Sequence, residues 1–308
     1  MAQLWVENTL GGYFSNDTLS KQARVAAQPL QKFRMFCDIE PAAGKHKGEY
    51  VLFDKITNVA TAGGTLSETS TIPKTNFTIV QDSLQLAERG NSIPYTLKAE
   101  TLADISLPEN VRTALKNDMA KVQDSAAAAQ FLASDWLAVC VNTATTSFDT
   151  DSSTTNTATA DMSDKNVRDI VDELKKKNVP RRNDGLFVCI ASTNAIRGIY
   201  DMVEAKLQHT TYQPLMDGDI GKYYGVRFIE ETNALSNAIG NGSAYGSAVF
   251  FGGDAVREGV CIPEELRIKK GDDYGRDLGM AWYGMNGYKK TWDYSTDGES
   301  RIIYVTSA

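Results

Sequence analysis

From Val111 to Cys140, apolar residues return at steps of three and four: Val111, Leu115, Met119, Val122, Ala126, Ala129, Ala133, Trp136 and Cys140. That is the period of one helix face. Ser106-Leu107-Pro108-Glu109 stands in front of it. This is a capping-box pattern, with proline in the first turn, where its missing N–H leaves nothing unsatisfied. The spacing predicts a helix over 106–140. Roughly thirty residues rising about 1.5 Å each reach roughly 45 Å, against about 11–12 residues for an ordinary helix. Ala126-Ala127-Ala128-Ala129 admits very close packing at its middle.

The segment before the helix reads as strands. Tyr50-Val51-Leu52-Phe53 opens a β-rich stretch that continues through Ile56 and Val59. Ala62-Gly63-Gly64-Thr65 signals a turn. A returning stretch carries Ile72, Phe77, Ile79, Val80, Leu84 and Leu86, and Gly90-Asn91 breaks it. Between the arms, Ser67-Glu68-Thr69-Ser70-Thr71 has no core face. This is a long hairpin with a polar end. A lone two-stranded hairpin is barely stable in water, so its apolar side needs a surface, either its own core or a neighbour. Residues 1–47 read as an irregular leader, punctuated by Pro29 and Pro41 and carrying the basic stretch Gln31-Lys32-Phe33-Arg34. An arm that lies on a neighbour or orders on assembly has this composition.

After the helix, residues 141–162 are nearly all Thr, Ser, Asp, Asn and Ala, an exposed loop and a boundary. An α/β stretch follows. Ser163 caps a helix with Val167, Ile170, Val171 and Leu174 inward, ended by Asn178 and Pro180. Leu186–Ala191 is a buried strand, and Ser192-Thr193-Asn194 starts a helix through Ile196, Tyr200, Val203 and Leu207. Gly221-Lys222-Tyr223-Tyr224-Gly225 turns into the strand Val226–Glu230. Four strands close the chain: Ser247–Phe251, Gly259–Ile262, Met280–Gly284 and Ile302–Val305. There is no internal repeat.

Motifs for chemistry are scarce. The 308 residues hold two histidines, His46 and His209, and four cysteines with no CxxC pair. That leaves little for a zinc site, a redox pair or a His-based triad. Cys37, Cys140, Cys189 and Cys261 sit next to apolar residues and read as buried free thiols. Gly44-Lys45 is followed by His46 and lacks the first glycine of a phosphate loop. Gly240-Asn241-Gly242-Ser243-Ala244-Tyr245-Gly246 reads as a flexible turn, and Ser192 as a helix cap without the glycines of a nucleophile elbow. The pairs Glu230-Glu231, Glu264-Glu265 and Asp272-Asp273 read as solvated surface charge. Lys175-Lys176-Lys177 with Arg181-Arg182 is the sharpest positive cluster; it suits DNA or an acidic patch on another subunit, and equally a solvated helix end, since cations suit a helix C-terminus. No run of 18 apolar residues predicts a membrane span. The first residues lack a signal-peptide pattern, so a cytoplasmic origin is expected. No catalytic residue, metal or cofactor is expected.

The order of these parts, with two sequence passages, resembles the major capsid proteins of tailed bacteriophages, whose fold is shared with encapsulin shells. One passage is Ala87-Glu88-Arg89-Gly90-Asn91-Ser92-Ile93-Pro94-Tyr95-Thr96, running into the long helix with Asp118 and Asp124. The other runs from Gly218 to Ala234 and includes Gly218-Asp219-Ile220-Gly221 and Gly225-Val226-Arg227-Phe228. Ser247–Lys270, an apolar strand followed by Gly252-Gly253-Asp254-Ala255, is similar too. The resemblance covers residues 48–305.

The resemblance implies an α+β fold in five parts. These are an N-terminal arm (1–47), an extended β-hairpin loop (48–98) and a peripheral domain with a spine helix (99–150). An α/β axial domain (151–245) follows, then closing strands shared by both domains (246–308). It implies a structural protein that assembles into pentamers and hexamers of an icosahedral head enclosing double-stranded DNA. Scaffold, portal and decoration proteins would be its partners. The protein would reside in the virion after synthesis in the host cytoplasm. The net charge of −7 fits an inner wall that does not grip DNA. An encapsulin-like compartment is the alternative, and an α/β enzyme using 163–235 a further one. Interface candidates are Lys55, Gly63, Gly64, Glu68, Ile72, Lys74 and Phe77 on the loop, with Arg112, Lys176, Arg181 and Arg182 elsewhere. Some coat proteins of this fold crosslink through a loop lysine. Lys55 and Lys74 lie on that segment, but no partner pair is identifiable, so crosslinking is not expected.

Overall fold

The computed structural model describes residues 28–57, 63–69, 71–103, 106–151, 157–207, 221–235, 246–269 and 273–308. In chain order the elements are β1 (Asp38–Ile39), β2 (Tyr50–Ile56), β3 (Ile79–Gln85), β4 (Ala87–Thr96), α1 (Leu97–Leu102) and α2 (Leu107–Leu132). Next come β5 (Leu137–Asn142), β6 (Thr145–Asp149), α3 (Asp164–Lys176), β7 (Phe187–Ala191), α4 (Thr193–Leu207), β8 (Lys222–Tyr223) and β9 (Val226–Glu230). The chain closes with β10 (Gly246–Phe251), β11 (Val256–Ile268), β12 (Asp277–Lys290), α5 (Tyr294–Asp297) and β13 (Ile302–Ser307). The fold is α+β, as expected.

Three sheets organise it. A seven-stranded sheet has the order β6-β5-β13-β10-β7-β9-β8. A four-stranded sheet has the order β1-β11-β12-β4, and β2 pairs with β3 alone. The seven-stranded sheet thus draws strands from both sides of residue 150. Its strands β7, β10 and β13 are buried along their whole length. They read as continuous apolar runs because both faces are covered. One face packs against α3 and α4 through Val167, Ile170, Val171, Leu174, Ile196 and Ile199. Ser163 caps α3 as predicted, and Asn166 completes a capping box that the sequence reading did not name, with each side chain closing the other's backbone N–H.

The long helix is shorter than its periodicity predicts. It ends at Leu132, spanning 26 residues, or about 39 Å. Trp136 and Cys140 keep the helical spacing, but Trp136 lies just before β5 and Cys140 within it, and β5 pairs in parallel with β13. The Ser134 hydroxyl donates to Ile302 O at 2.6 Å and accepts from Trp136 N at 3.2 Å, which turns the chain out of the helix. Ser106 occupies the N-cap, yet its side chain makes no capping bond. Proline stands in the first turn, as predicted.

Two further expectations change. Gly90-Asn91 does not break a strand. β4 runs through both, because all ten of its residues pair with β12 from Asp277 to Asn286. A Cβ on Gly90 would lie 2.7 Å from Trp282 O, so the close approach itself requires glycine. The described part of the leader is core as well as arm. Phe33 and Phe36 are buried on Ala127 and Ala128 of α2, with Phe131 and Phe251. The Phe33–Phe131 and Phe36–Phe251 ring centroids are 5.4 and 5.5 Å apart. The alanine run thus admits the chain's own leader. Residues 1–27 lie outside the described residues, as do Val59 and the turn at 240–245.

Of the loop 141–162, β6 forms a hairpin with β5, and Ala158 and Met162 are buried. Cys140 and Cys189 are buried as expected, whereas Cys37 and Cys261 are only half-buried.

Candidate assembly surface

The β2–β3 hairpin has two unlike faces. In register, Val51 pairs with Leu84, Phe53 with Asp82 and Lys55 with Val80 on one side. Tyr50 pairs with Gln85, Leu52 with Ser83 and Ile56 with Ile79 on the other. The first face is seated on β11 and β12. Val51, Leu84 and Leu86 are buried with Ala43, Cys261 and Met285 against them. Gly259 and Gly287 face each other across the β11–β12 ladder. A Cβ on either would come within 2.8 Å of Leu84 Cδ2, and one on Gly287 would also collide with the Gln85 carbonyl. The glycines open the slot that the hairpin occupies.

A buried ion pair fixes the hairpin farther out. Lys55 Nζ donates to Asp297 Oδ2 at 2.6 Å and to Asp82 Oδ2 at 3.2 Å. The Lys55 and Asp297 side chains are 3% and 0% exposed. Burial works against the Lys55 charge, but the hydrogen bonds to Asp297 and Asp82 outweigh it and hold the ammonium above its ordinary range. Trp292 lies beneath, its ring centroid 5.7 Å from Nζ. Lys289 adds an ion pair to Asp82 at 3.5 Å.

Among the described residues the second face has no cover. Tyr50, Leu52, Ile56 and Ile79 are exposed, and the apolar residues Leu66, Ile72 and Phe77 beyond the ladder are exposed too. Asp54 and Gln81 pair within the same face, so its exposed apolar side chains are interleaved with polar ones; a row of exposed apolar residues along a two-stranded ladder is a candidate interaction site.

The four-stranded sheet that carries the hairpin is locked to α2 by polar contacts. Asp118 accepts from Trp282 Nε1 at 2.8 Å and from Asn91 Nδ2 at 3.0 Å. Asp124 is buried and accepts from Arg34 N at 3.1 Å and Asn233 Nδ2 at 3.5 Å. The two passages that carry the family resemblance therefore meet at α2. Arg34 reaches Glu258 at 2.8 Å and Glu264 at 2.7 Å. Burial lowers its proton affinity, and the Glu258 hydrogen bond together with the charges of Glu258 and Glu264 and the Tyr288 hydroxyl more than restores it.

Solved phage structures share the fold along nearly all of the chain. The Cyanophage Pam1 capsid asymmetric unit matches with a TM-score of 0.70 at 13% identity, covering 100% of both chains. The head structure of Helicobacter pylori bacteriophage KHP40 matches at 0.69 and 11% identity, covering 97% of each chain. A structure of Mycobacterium phage Che8 matches at 0.68 and 15% identity, covering 95% of this chain and 97% of that one. This is the phage capsid fold. No protein-family profile matches the chain, and no curated protein matches it.

On the capsid fold the candidate residues separate. Gly63, Gly64, Glu68, Ile72, Lys74 and Phe77 lie together on the exposed arm beyond the ladder. Lys55 lies at its base and points into its own subunit, so it is an anchor, in contrast to the expectation of an interface contact. Arg112 is exposed on α2, away from the hairpin residues in sequence and element. Lys176 pairs with Glu173 at 3.0 Å. Arg181 donates to Gly185 O at 3.2 Å, and its guanidinium lies over Phe187. Arg182 donates to Phe36 O at 2.9 Å and holds the leader. Only part of the basic cluster is therefore a solvated helix end.

Two acidic pairs also differ from expectation. Glu231 is fully buried and accepts from the backbone N–H groups of Asn233, Ala234 and Leu235 at 2.7–2.9 Å. Glu264 is held by Arg34. Ser192 caps as predicted, accepting from Ala195 N at 3.4 Å and Ser247 N at 3.1 Å. Sequence reasoning missed the exposed face of Tyr50, Leu52, Ile56 and Ile79, because Tyr50-Val51-Leu52-Phe53 is a continuous apolar run in which nothing local marks the side that faces out. Among the described residues no group of three or more His, Cys, Asp or Glu is placed to hold a metal ion. No described helix is long and apolar enough to cross a membrane.

Proposed function

We propose that the chain is a major capsid subunit of a tailed phage, building an icosahedral shell around double-stranded DNA from pentamers and hexamers of itself. The observation that carries this is the hairpin: one face is pinned to its own subunit, and the other leaves Tyr50, Leu52, Ile56 and Ile79 exposed. The capsid fold along the whole chain supports it. Many weak copies of one contact suit a closed shell, because each later contact becomes effectively intramolecular. Heterologous contacts that close by rotation give rings.

In this reading Gly63, Gly64, Glu68, Ile72, Lys74 and Phe77 meet a neighbouring subunit, and Lys55 positions them. Arg112 and Lys176 are further neighbour contacts. Residues 48–98 serve as the extended loop, and 99–150 hold the long helix of the peripheral domain. Residues 151–245 form the axial domain, and 246–308 supply strands to both. The strand order supports the sharing, since β10 and β13 join one sheet and β11 and β12 the other. It also supports moving the domain boundary back, because β5 and β6 pair into the sheet of β13. The protein resides in the virion after synthesis in the bacterial cytoplasm. Scaffold, portal and decoration proteins are its partners, and it does no catalysis.

Deleting Asn58–Thr75 tests the hairpin's role. The deleted chain stays folded by circular dichroism and sediments as a small species where the parent forms particles. Normal particles from the deleted chain would sink this reading. Double-stranded DNA recovered from parent particles distinguishes a phage head from a protein compartment.

A further inference from the structure

The described leader crosses the joint between the two large sheets. On the side of the seven-stranded sheet, Leu30 N donates to Thr232 Oγ1 at 2.9 Å and Leu30 O accepts from Thr232 N at 3.3 Å. Phe36 packs on Phe251 of β10, and Arg182 reaches Phe36 O at 2.9 Å and Asp38 at 3.4 Å. On the side of the four-stranded sheet, Asp38–Ile39 pairs with β11 over two residues. Glu40 N donates to Glu258 O at 2.8 Å, and the Glu40 carboxylate accepts from Arg257. Between the sheets the leader lies on α2, where Asp124 accepts from Arg34 N at 3.1 Å. Leu30, Met35 and Ile39 are exposed, so the leader is the outer layer at this joint.

What lies beneath it is acidic. Asp124, Glu231 and Glu258 are buried, and the Glu264 side chain is 12% exposed. Asn233 joins the first two, with its backbone N–H on Glu231 at 2.7 Å and its side chain on Asp124 at 3.5 Å. Among the described residues, Arg34 of the leader is the one cation that pairs with any of the four, meeting Glu258 at 2.8 Å and Glu264 at 2.7 Å. Buried carboxylates stripped of their counter-charge are strongly unfavourable. Two arrangements satisfy them: the guanidinium in place, or the leader lifted and water in its stead. A half-seated leader satisfies neither.

We infer that residues 28–40 are a releasable strap that locks the angle between the two sheets, with Arg34 as its key. The strap opens as a unit, and while it is closed the sheets move as one body. Its use rests on the shell-subunit reading. Five-fold and six-fold positions place the same chain at different curvatures, and a lock across the joint opens for the chain to pass from one to the other.

Cys37 lies within the strap and reports on it. Its Sγ donates to Phe33 O at 3.8 Å, and burial pushes the thiol well above its usual range. The thiolate is the reactive form, so the closed strap shields it. Cys140 in β5 and Cys189 in β7 are buried and report on the core of the seven-stranded sheet. The test uses unassembled full-length chain carrying Cys261→Ser, treated at neutral pH with an excess of an aromatic disulfide. Peptide mass spectrometry reads the rate at each thiol. The expected result is that Cys37 reacts while Cys140 and Cys189 stay protected. Arg34→Gln speeds Cys37 alone by about tenfold or more, the factor that 1.4 kcal/mol brings. Arg182→Gln frees the strap from its other side and gives the same selective rise. Reaction of all three thiols at one rate, or a Cys37 rate that neither variant changes, would overturn the strap. Because the subunits are unassembled, that failure leaves the shell reading standing. A parent chain that never forms particles would overturn the shell reading and the strap's use in it, but not the selective opening.

Discussion

Lys55 Nζ sits 2.6 Å from Asp297 Oδ2, and the two residues are 242 positions apart. The pair joins the second strand of the chain to the short helix before its last strand. It makes the direction of the hairpin a property of the C-terminal segment. Removing the lysine leaves a buried carboxylate without its counter-charge, a loss of about 3–5 kcal/mol for buried pairs.

Lys55→Met therefore lowers the unfolding free energy by about 3 kcal/mol near neutral pH, read from urea titration. The folded-state affinity of Lys55 for its proton is raised above the ordinary 10.5. Its contribution is thus complete below pH 10.5 and lost as pH rises through the higher folded value. The stability gap between parent and variant stays constant from pH 7 to 10 and closes in stronger alkali. A gap that instead closes on acidification to pH 6 would contradict the assignment.

Gly287→Ala tests the slot under the hairpin. The added methyl meets the Gln85 carbonyl and Leu84 Cδ2. Overpacking of this kind costs roughly 1–3 kcal/mol. The strain falls on the hairpin seat, so proteolysis between β2 and β3 accelerates while the seven-stranded sheet keeps its hydrogen-exchange protection. Equal loss of protection in both sheets would mean the hairpin is not a separately seated unit.

Glu231 predicts an acid-side effect. Burial raises its proton affinity above the usual 4.5 in spite of three backbone N–H donors, and the Asp124 carboxylate adds to the rise. Asp124 is raised in the same way, chiefly by burial. A raised carboxylate binds its proton more tightly when folded. This group therefore adds stability as pH falls through its folded value toward 4.5. Glu231→Gln replaces one acceptor oxygen by an NH2 group among N–H donors, at a cost of about 1–3 kcal/mol. The variant lacks the titration, so its deficit widens between pH 7 and 4.5 in thermal melts. A deficit that narrows over that range would refute the account.

Local patterns were legible where local forces decide. On α3 the cap, the apolar positions and the stop all match, because a helix satisfies itself within its own residues. The end of α2 was not legible. Ala133, Trp136 and Cys140 continue the helical spacing by coincidence, and what ends the helix and leads the chain into β5 is Ile302 and β13, far along the chain. Gly90-Asn91 carries a break signal that ten rungs of pairing with β12 override. The site divided in the same way. The exposed arm from Gly63 to Phe77 was readable as polar-ended and bare. The burial of Lys55 was not, because its carboxylates lie 27 and 242 residues away.

The central claim is self-assembly, and negative-stain electron microscopy of the purified full-length chain over a range of salt concentrations tests it most directly. The account predicts closed shells, or rings and sheets of repeating subunits. Single subunits alone under every condition would contradict it.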